Sequence, residues 1–105
     1  MPGFGTSVRN LRLGNFTIDC EARRRNGSWV FASLGLNEHL ENRDGDLVVG
    51  GRNAWHTSDQ DSWRLNGTIL SGRLQRRDGN TMRDASIDLN LYISNEDGVL
   101  KFDQV

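Results

Sequence analysis

The chain has 105 residues, of which 35% are apolar and 26% charged, and its formal net charge is −1. This length suits one domain that buries its own core. The charge balance provides neither a basic field for nucleic acid nor the acidic excess typical of a disordered tail. We therefore expect no nucleic-acid partner.

Targeting and redox signals are sparse. No run approaches 18 consecutive apolar residues, so we expect no membrane span. The first ten residues, MPGFGTSVRN, have no basic head and no apolar stretch of a secretory signal. Cys20 is the only cysteine, which excludes an internal disulfide. These features lead us to expect a cytoplasmic protein.

The first clear element is a strand over FTIDCEA. Phe16, Ile18, Cys20 and Ala22 alternate with polar residues there, the period of a strand with one buried face. The following RRNGSWVFASLGL has Asn-Gly between two extended runs, which predicts a hairpin because both residues tolerate positive φ. We expect Trp29, on the alternating strand after this turn, to pack in the core.

The segment LNEHLENRDGDLVV, residues 36–49, predicts a helical turn and then a second reversal of the chain. Asn37 is expected to cap the turn, and Leu36 and Leu40 to bury one face of it. Asp44-Gly45 then turns the chain into a short strand. The glycine pair in VGGRNAW is the expected hinge.

The chain then repeats itself. Residues 85–102 match residues 32–49 at 8 of 18 positions, including Leu-Asn, Asn and Asp-Gly, and RRDG at 76–79 matches RRNG at 24–27. We predict one domain, residues 1–105, made of internal repeats at about 4–50 and 54–103 with a hinge near 50–53. Asn90 is then a cap like Asn37, and each repeat supplies strands to a shared, mostly β core.

The motifs RNGSWV, LGLNEHLENRDGDL and GGRN, followed by a second copy that ends NEDGVLKF, resemble the cyanovirin-N homology family from Phe4 to Phe102. The resemblance implies two pseudo-symmetric, intertwined repeats, each with a three-stranded antiparallel sheet, a β-hairpin and short helical turns. It also implies a lectin for mannose-rich glycans, especially α1,2-linked mannose, that needs no catalytic residues, cofactor or metal.

Two departures from the family pattern stand out. The positions of the family's disulfides correspond to Val8 with Ala22 and to Leu74 with a residue in 59–61, and no cysteine occupies them. The chain therefore resembles cysteine-poor fungal members, in agreement with a reducing compartment. The segment AWHTSDQDSW, residues 54–63, is also longer than the family pattern.

The resemblance implies two sugar pockets. The residues of the preferred pocket are Gly3, Thr6, Ser7, Arg23, Arg25, Asn26, Asn95, Glu96 and Asp97. The residues of the second are Glu41, Asn42, Arg43, Asp44, Arg52, Asn53, Thr57, Gln75, Arg76, Arg77 and Asp78. The first is preferred because the lengthened segment lies at the expected wall of the second. Arg23 stands where the family has an acidic sugar ligand.

Other interpretations remain open. Turn chemistry alone explains the recurring Asn and Asp beside glycine, and sugar contact would be an added role. The same fold could serve as a protein-interaction or structural module with weak or lost sugar binding, or its arginine-rich hairpins could hold an anionic polymer. No nucleophile-elbow or metal-ligand spacing indicates an enzyme. We expect a monomer, with a strand-exchanged dimer possible through Gly50-Gly51.

Overall fold

The computed structural model describes residues 3–103. Three short 3-10 helices lie in this range: η1 (Phe4–Thr6), η2 (Ala54–Thr57) and η3 (Leu89–Leu91). The strands are β1 (Val8–Leu13), β2 (Thr17–Arg23), β3 (Trp29–Gly35), β4 (Leu40–Arg43), β5 (Asp46–Val49), β6 (Ser58–Asn66), β7 (Ile69–Gln75), β8 (Met82–Asp88), β9 (Ile93–Glu96) and β10 (Val99–Phe102). In this part of the chain, no helix has the length and apolar character to cross a bilayer.

The strands form two copies of one antiparallel arrangement. Strands β1-β2-β3 and β6-β7-β8 are three-stranded sheets, and β4-β5 and β9-β10 are two-stranded hairpins. The hairpins change partners: β10 contacts β3, and β5 contacts β8. Each hairpin therefore packs on the sheet of the other repeat, which confirms the mostly β, intertwined fold.

The core explains why the leucines recur in both repeats. Ile18, Cys20 and Ala22 of β2 are buried, as the alternation predicted. Phe16 is buried too, but it precedes the strand with a left-handed φ of 54°, so the strand begins one residue later than predicted. The matched residues Leu36 and Leu89, and Leu40 and Ile93, are completely inaccessible to solvent. One shared core thus forms from the same positions of both repeats, which stabilises two units that would be marginal alone.

Two kinds of hairpin turn alternate along the chain. Asp44-Gly45 and Asp97-Gly98 have φ values of 52° and 90°, and of 52° and 92°, so both residues of each turn are left-handed. That is the two-residue geometry that matches strand twist. At Asn26-Gly27 the predicted hairpin forms, but only Gly27 has a positive φ, and a longer loop closes where the Arg24 N–H donates to the Ser28 carbonyl at 2.8 Å.

The prediction that Asn37 and Asn90 cap the helical turns is wrong. Asp88 caps η3, because its carboxylate accepts from the Asn90 N–H at 3.0 Å. The Asn90 Oδ1 instead accepts from the Gly5 N–H at 2.9 Å, and the Asn37 Oδ1 accepts from the Trp55 N–H at 3.2 Å. Each asparagine therefore ties a turn of its own repeat to the 3-10 helix that begins the other repeat.

The tryptophans differ from expectation. Trp29 is only half-buried and lies under the Arg9 guanidinium, whose carbon is 4.2 Å from the ring centroid, so the prediction that it packs in the core is wrong. Trp63 is the buried indole, with its ring centroid 4.7 Å from that of Phe16. It fits because Gly72 leaves room beneath the ring.

The lengthened segment is absorbed as a bulge in β6. Asp59 pairs with Arg73 and Arg64 pairs with Ser71. Between these two pairs β6 advances by five residues and β7 by only two, so the extra residues of β6 form the bulge. Val8 lies opposite Ala22, as expected for the first missing disulfide. Leu74 lies opposite Ser58, so the prediction that its partner is in 59–61 is wrong, because the extra residues begin only after Ser58 and Asp59.

Candidate functional site

One candidate site lies where the β9-β10 turn of the second repeat meets the β2-β3 loop of the first; we call it the first site. The Asn95 amide nitrogen donates to the Arg23 carbonyl and to the Ser7 hydroxyl, both at 3.0 Å. The Asp97 Oδ1 accepts from the Arg25 N–H at 2.9 Å. Side chains of the second repeat thus hold the backbone of the first.

The second site is its counterpart, where the β4-β5 turn meets the β7-β8 loop. The Asn42 amide nitrogen donates to the Gln75 carbonyl and to the Thr57 hydroxyl, both at 2.8 Å. The Asp44 Oδ1 accepts from the Arg77 N–H at 3.0 Å. The same asparagine and aspartate therefore perform the same docking at both sites.

The asparagines also close their own turns. The Asn95 Oδ1 accepts from the Gly98 N–H, and the Asn42 Oδ1 from the Gly45 N–H, each at 2.8 Å. A single amide thus uses its oxygen within the turn and its nitrogen across the repeats. Turn chemistry alone is therefore not the whole reason for the recurrence of Asn and Asp-Gly, because the docking needs the same residues.

Each docking aspartate is held ionised by donors of the other repeat. The pKa of Asp97 is lowered first by the hydrogen bond from the Arg25 N–H and then by the Arg24 guanidinium, whose Nη2 lies 3.8 Å from Oδ2. The pKa of Asp44 is lowered in the same way by the Arg77 N–H and by Arg76, at 3.6 Å.

These shifts predict an acid-sensitive junction. A carboxylate whose folded pKa is depressed stabilises the fold above its unfolded pKa, about 3.9 for aspartate, and loses that contribution as the pH falls through the folded value. We expect the urea midpoint to fall between about pH 4 and pH 2. Asp44→Asn/Asp97→Asn should reduce this fall, since both titrating groups are removed. An unchanged pH dependence in the double variant would contradict the assignment.

The second site opens into a cavity of about 310 Å³. Eight of the predicted second-pocket residues line it: Glu41, Asn42, Arg43, Asp44, Thr57, Gln75, Arg76 and Arg77. Within it the Arg43 guanidinium donates to the Glu41 carboxylate at 3.1 Å. The lining thus offers carboxylates, amides and guanidinium groups around a turn that hydrogen bonds close and dock.

Three predicted second-pocket residues lie outside this lining. Asn53 has a φ of 72°, immediately precedes η2 and donates its N–H to the Asn37 carbonyl at 2.7 Å. Asp78 points into its own hairpin, where its Oδ1 accepts from the Asn80 and Thr81 N–H groups at 2.9 and 3.0 Å. Arg52 is exposed on the segment between β5 and η2.

The predicted first-pocket residues fall into two groups. The docking contacts bring together Ser7, Arg23, Arg25, Asn95 and Asp97. The remaining members are Gly3, Thr6, Asn26 and Glu96. The Gly3 N–H donates to the Ile93 carbonyl of the second repeat at 3.0 Å, whereas the side-chain contacts of the other three are local.

Gly3 precedes η1 with a φ of 108°, and its carbonyl accepts from the Thr6 hydroxyl at 3.3 Å. The Asn26 Oδ1 accepts from the Ser28 N–H at 2.9 Å within the hairpin loop. The Glu96 carboxylate lies 2.8 Å from the Lys101 ammonium, and the hydrogen bond from Lys101 lowers the pKa of Glu96.

Sequence reasoning missed Arg24 and Lys101. Arg24 faces Asp97 as Arg76 faces Asp44, and the match of RRNG with RRDG was the signal that could have found it. The reason for preferring the first pocket also fails. The extra residues of the lengthened segment bulge beyond Ser58, and Thr57 keeps its place in the second site.

Comparison with known proteins agrees with this architecture. The family description CVNH domain matches residues 4–101. A cyanovirin-N homolog from Tuber borchii is 34% identical over 101 residues, which cover 94% of this chain and 97% of the relative.

Solved structures superpose over nearly the whole chain. A designed cyanovirin-N homolog lectin shares 31% identity, with a TM-score of 0.87 over 96% of this chain and 99% of its own. Microvirin, solved as a complex with mannobiose, shares 26% identity, with a TM-score of 0.85 over 97% of this chain and 99% of its own. The chain belongs to the cyanovirin-N homology family of carbohydrate-binding lectins.

Proposed function

We propose that this protein binds mannose-rich glycans reversibly, without catalysis, and that α1,2-linked mannose docks at the two sites. The observation that carries the proposal is the repeated junction, in which an Asn and an Asp of one repeat fix the polar loop of the other. The similarity to microvirin, which was solved with mannobiose, supports mannose as the sugar.

The chemistry of the second site suits a hexose. Each sugar hydroxyl both donates and accepts, so a pocket needs carboxylate acceptors and cationic or amide donors in fixed places. Glu41 and Asp44 supply the carboxylate acceptors, and Arg43, Arg76 and Arg77 supply the cationic donors. A volume of about 310 Å³ is at the small end of ligand pockets, which suits one or two sugar rings better than a long chain.

Titration with α1,2-mannobiose, followed by backbone amide shifts, tests the proposal. We expect saturable shifts at Arg25 and Gly98 for the first site and at Arg77 and Gly45 for the second, because these amides form the two junctions. An α1,4-linked glucose disaccharide is the control for both the linkage and the sugar, and it should shift the amides of neither site.

Other outcomes would favour the rival functions. No response to mannobiose at either junction would leave a module of this fold without sugar binding. A response to heparin or RNA that disappears with salt, in the absence of one to mannobiose, would favour the anionic-polymer interpretation.

A further inference from the structure

The two sites share their backbone geometry but differ in the charges around it. Each loop has two arginines at matched positions, Arg24 and Arg25 in the first and Arg76 and Arg77 in the second. The residues on either side differ. Arg23 and Asn26 flank the first pair, whereas Gln75 and Asp78 flank the second.

Pairing the charges leaves an excess at the first site only. Arg24 pairs with Asp97 and Lys101 with Glu96. Among residues 3–103, no carboxylate lies within ion-pair distance of Arg23 or Arg25, although both are exposed. The four cations Arg23, Arg24, Arg25 and Lys101 thus face only the two carboxylates Glu96 and Asp97, and the first site carries an excess of two positive charges.

The second site is balanced. Arg43 pairs with Glu41 and Arg76 with Asp44. The remaining cation, Arg77, has no carboxylate within ion-pair distance among residues 3–103, but the same loop holds one more carboxylate, Asp78, fixed by the backbone N–H groups of Asn80 and Thr81. The three cations and three carboxylates of this site therefore sum to zero. An incoming anion thus meets a carboxylate at the second site at the position where the first site has the neutral Asn26.

We infer that the first site selects mannosides with an anionic substituent, a phosphate or sulfate ester, whereas the second site takes neutral mannosides. The inference rests on the proposed function, because it assigns a ligand class to the same two sites. Guanidinium groups bind such oxyanions with two parallel hydrogen bonds, and Arg23 and Arg25 have no internal partner that must first be displaced.

The size of the preference follows from the exposure of these arginines. Two surface charges several ångströms from an anion favour its binding by about three- to tenfold at low salt. Most of that preference disappears near 1 M salt, where the screening length is about 3 Å. Hydrogen bonds to the hexose are not screened in this way and should persist.

The chain provides matched variants for the test. Asn26 and Asp78 do the same structural work, since each side-chain oxygen accepts from a backbone N–H two residues on, at 2.9 Å. The carbonyls of Arg23 and Gln75 both accept from the docking asparagine, and their side chains are exposed. The Gln75 Nε2 also donates to the Gly79 carbonyl at 2.9 Å, and an arginine at this position retains N–H donors for that carbonyl. Arg23→Gln/Asn26→Asp and Gln75→Arg/Asp78→Asn therefore exchange the charges with little disturbance of the loops.

The experiment compares α1,2-mannobiose with its 6-phosphate and 6-sulfate esters by amide shifts in one labelled protein. Arg25 and Gly98 report the first site, and Arg77 and Gly45 the second. We expect an ester to bind about three- to tenfold more tightly than mannobiose at the first site in low salt, with no such gain at the second. Arg23→Gln/Asn26→Asp should remove the gain, and Gln75→Arg/Asp78→Asn should create it at the second site. Arg12→Gln/Arg64→Gln, at two exposed positions on β1 and β6, also changes the net charge by −2; it is the charge-matched control for Arg23→Gln/Asn26→Asp and should keep the wild-type pattern.

The outcomes separate the two proposals. If mannobiose binds at both sites and the esters show no gain at the first, or an equal gain at both, the charge inference fails and the lectin proposal stands. If inorganic phosphate alone produces the same shifts and competes equally, the site binds anions without selecting a glycan, and the inference also fails. If no sugar, neutral or charged, shifts either junction, both proposals fail.

Discussion

Gly72→Ala is expected to destabilise the protein by about 1–3 kcal/mol, because a methyl group there would overlap the indole ring of Trp63. Trp63 is only 8% exposed and has little room to move, since its ring contacts Phe16 and its Nε1–H donates to the Ser58 hydroxyl at 2.9 Å. Urea unfolding followed by circular dichroism measures the change.

A second background isolates the cause. At the corresponding positions the first repeat has Leu11 in place of Trp63 and Cys20 in place of Gly72. The smaller Leu11 is thus combined with a larger neighbour, as the larger Trp63 is combined with glycine. In a Trp63→Leu background we expect Gly72→Ala to cost at least about 1 kcal/mol less than in the wild type, since residues in contact are energetically coupled. An equal cost in both backgrounds would show that steric overlap with the indole is not the cause.

Asn95→Ala is expected to destabilise the protein by about 2–3 kcal/mol, since it removes the donor to Ser7 and Arg23 and the acceptor for the Gly98 N–H. These groups are part-buried or lie at the junction, so water replaces the lost bonds only incompletely. Asn42→Ala should have an effect of similar size, because its contacts match. Urea midpoints of both variants provide the measurement.

The matched control is Asn80→Ala on the exposed β7-β8 loop. The backbone N–H of Asn80 donates to the Asp78 carboxylate, and the substitution leaves this bond intact. We therefore expect the free energy of unfolding to change by no more than about 0.5 kcal/mol. If Asn95→Ala costs no more than Asn80→Ala, the asparagine does not hold the two repeats together.

Much of the fold could be predicted because its signals are local. The alternation over FTIDCEA identifies four buried residues, three of them in β2, and both Asp-Gly turns have the left-handed angles that this pair tolerates. The internal repeat provided a second signal. The similarity of residues 32–49 to 85–102 predicted that the two segments fold alike, and strands β3 to β5 and β8 to β10 have the same order.

The errors concern partners far away in sequence. Asparagine is a common helix cap, but the Asn90 Oδ1 accepts from the N–H of Gly5, 85 residues away in sequence. A rule based on neighbouring residues does not predict such a partner. Trp29 alternates like a core residue but lies at a half-buried position at the start of β3, under Arg9. Trp63 is buried because Gly72, on the neighbouring strand, makes space for it.

The candidate sites show the same limit. The resemblance and the repeat located the turn residues Asn42, Asp44, Asn95 and Asp97, whereas Arg24 was missed although it repeats Arg76. Asp97 reaches the Arg25 N–H across 72 residues, a contact set by the exchange of hairpins and not by either segment. For this reason the charge balance of each site becomes visible only when the two repeats are brought together.

The central claim is that each sugar site is assembled from both repeats, with a hairpin of one holding the loop of the other. The most direct test is the mannobiose titration of Asp97→Ala, observed at the amides of Arg25 and Arg77. We predict that Arg25, in the first repeat, loses its sugar-dependent shift because its partner in the second repeat is gone, while Arg77 responds as in the wild type. A wild-type response at Arg25, or equal loss at both amides, would contradict the account.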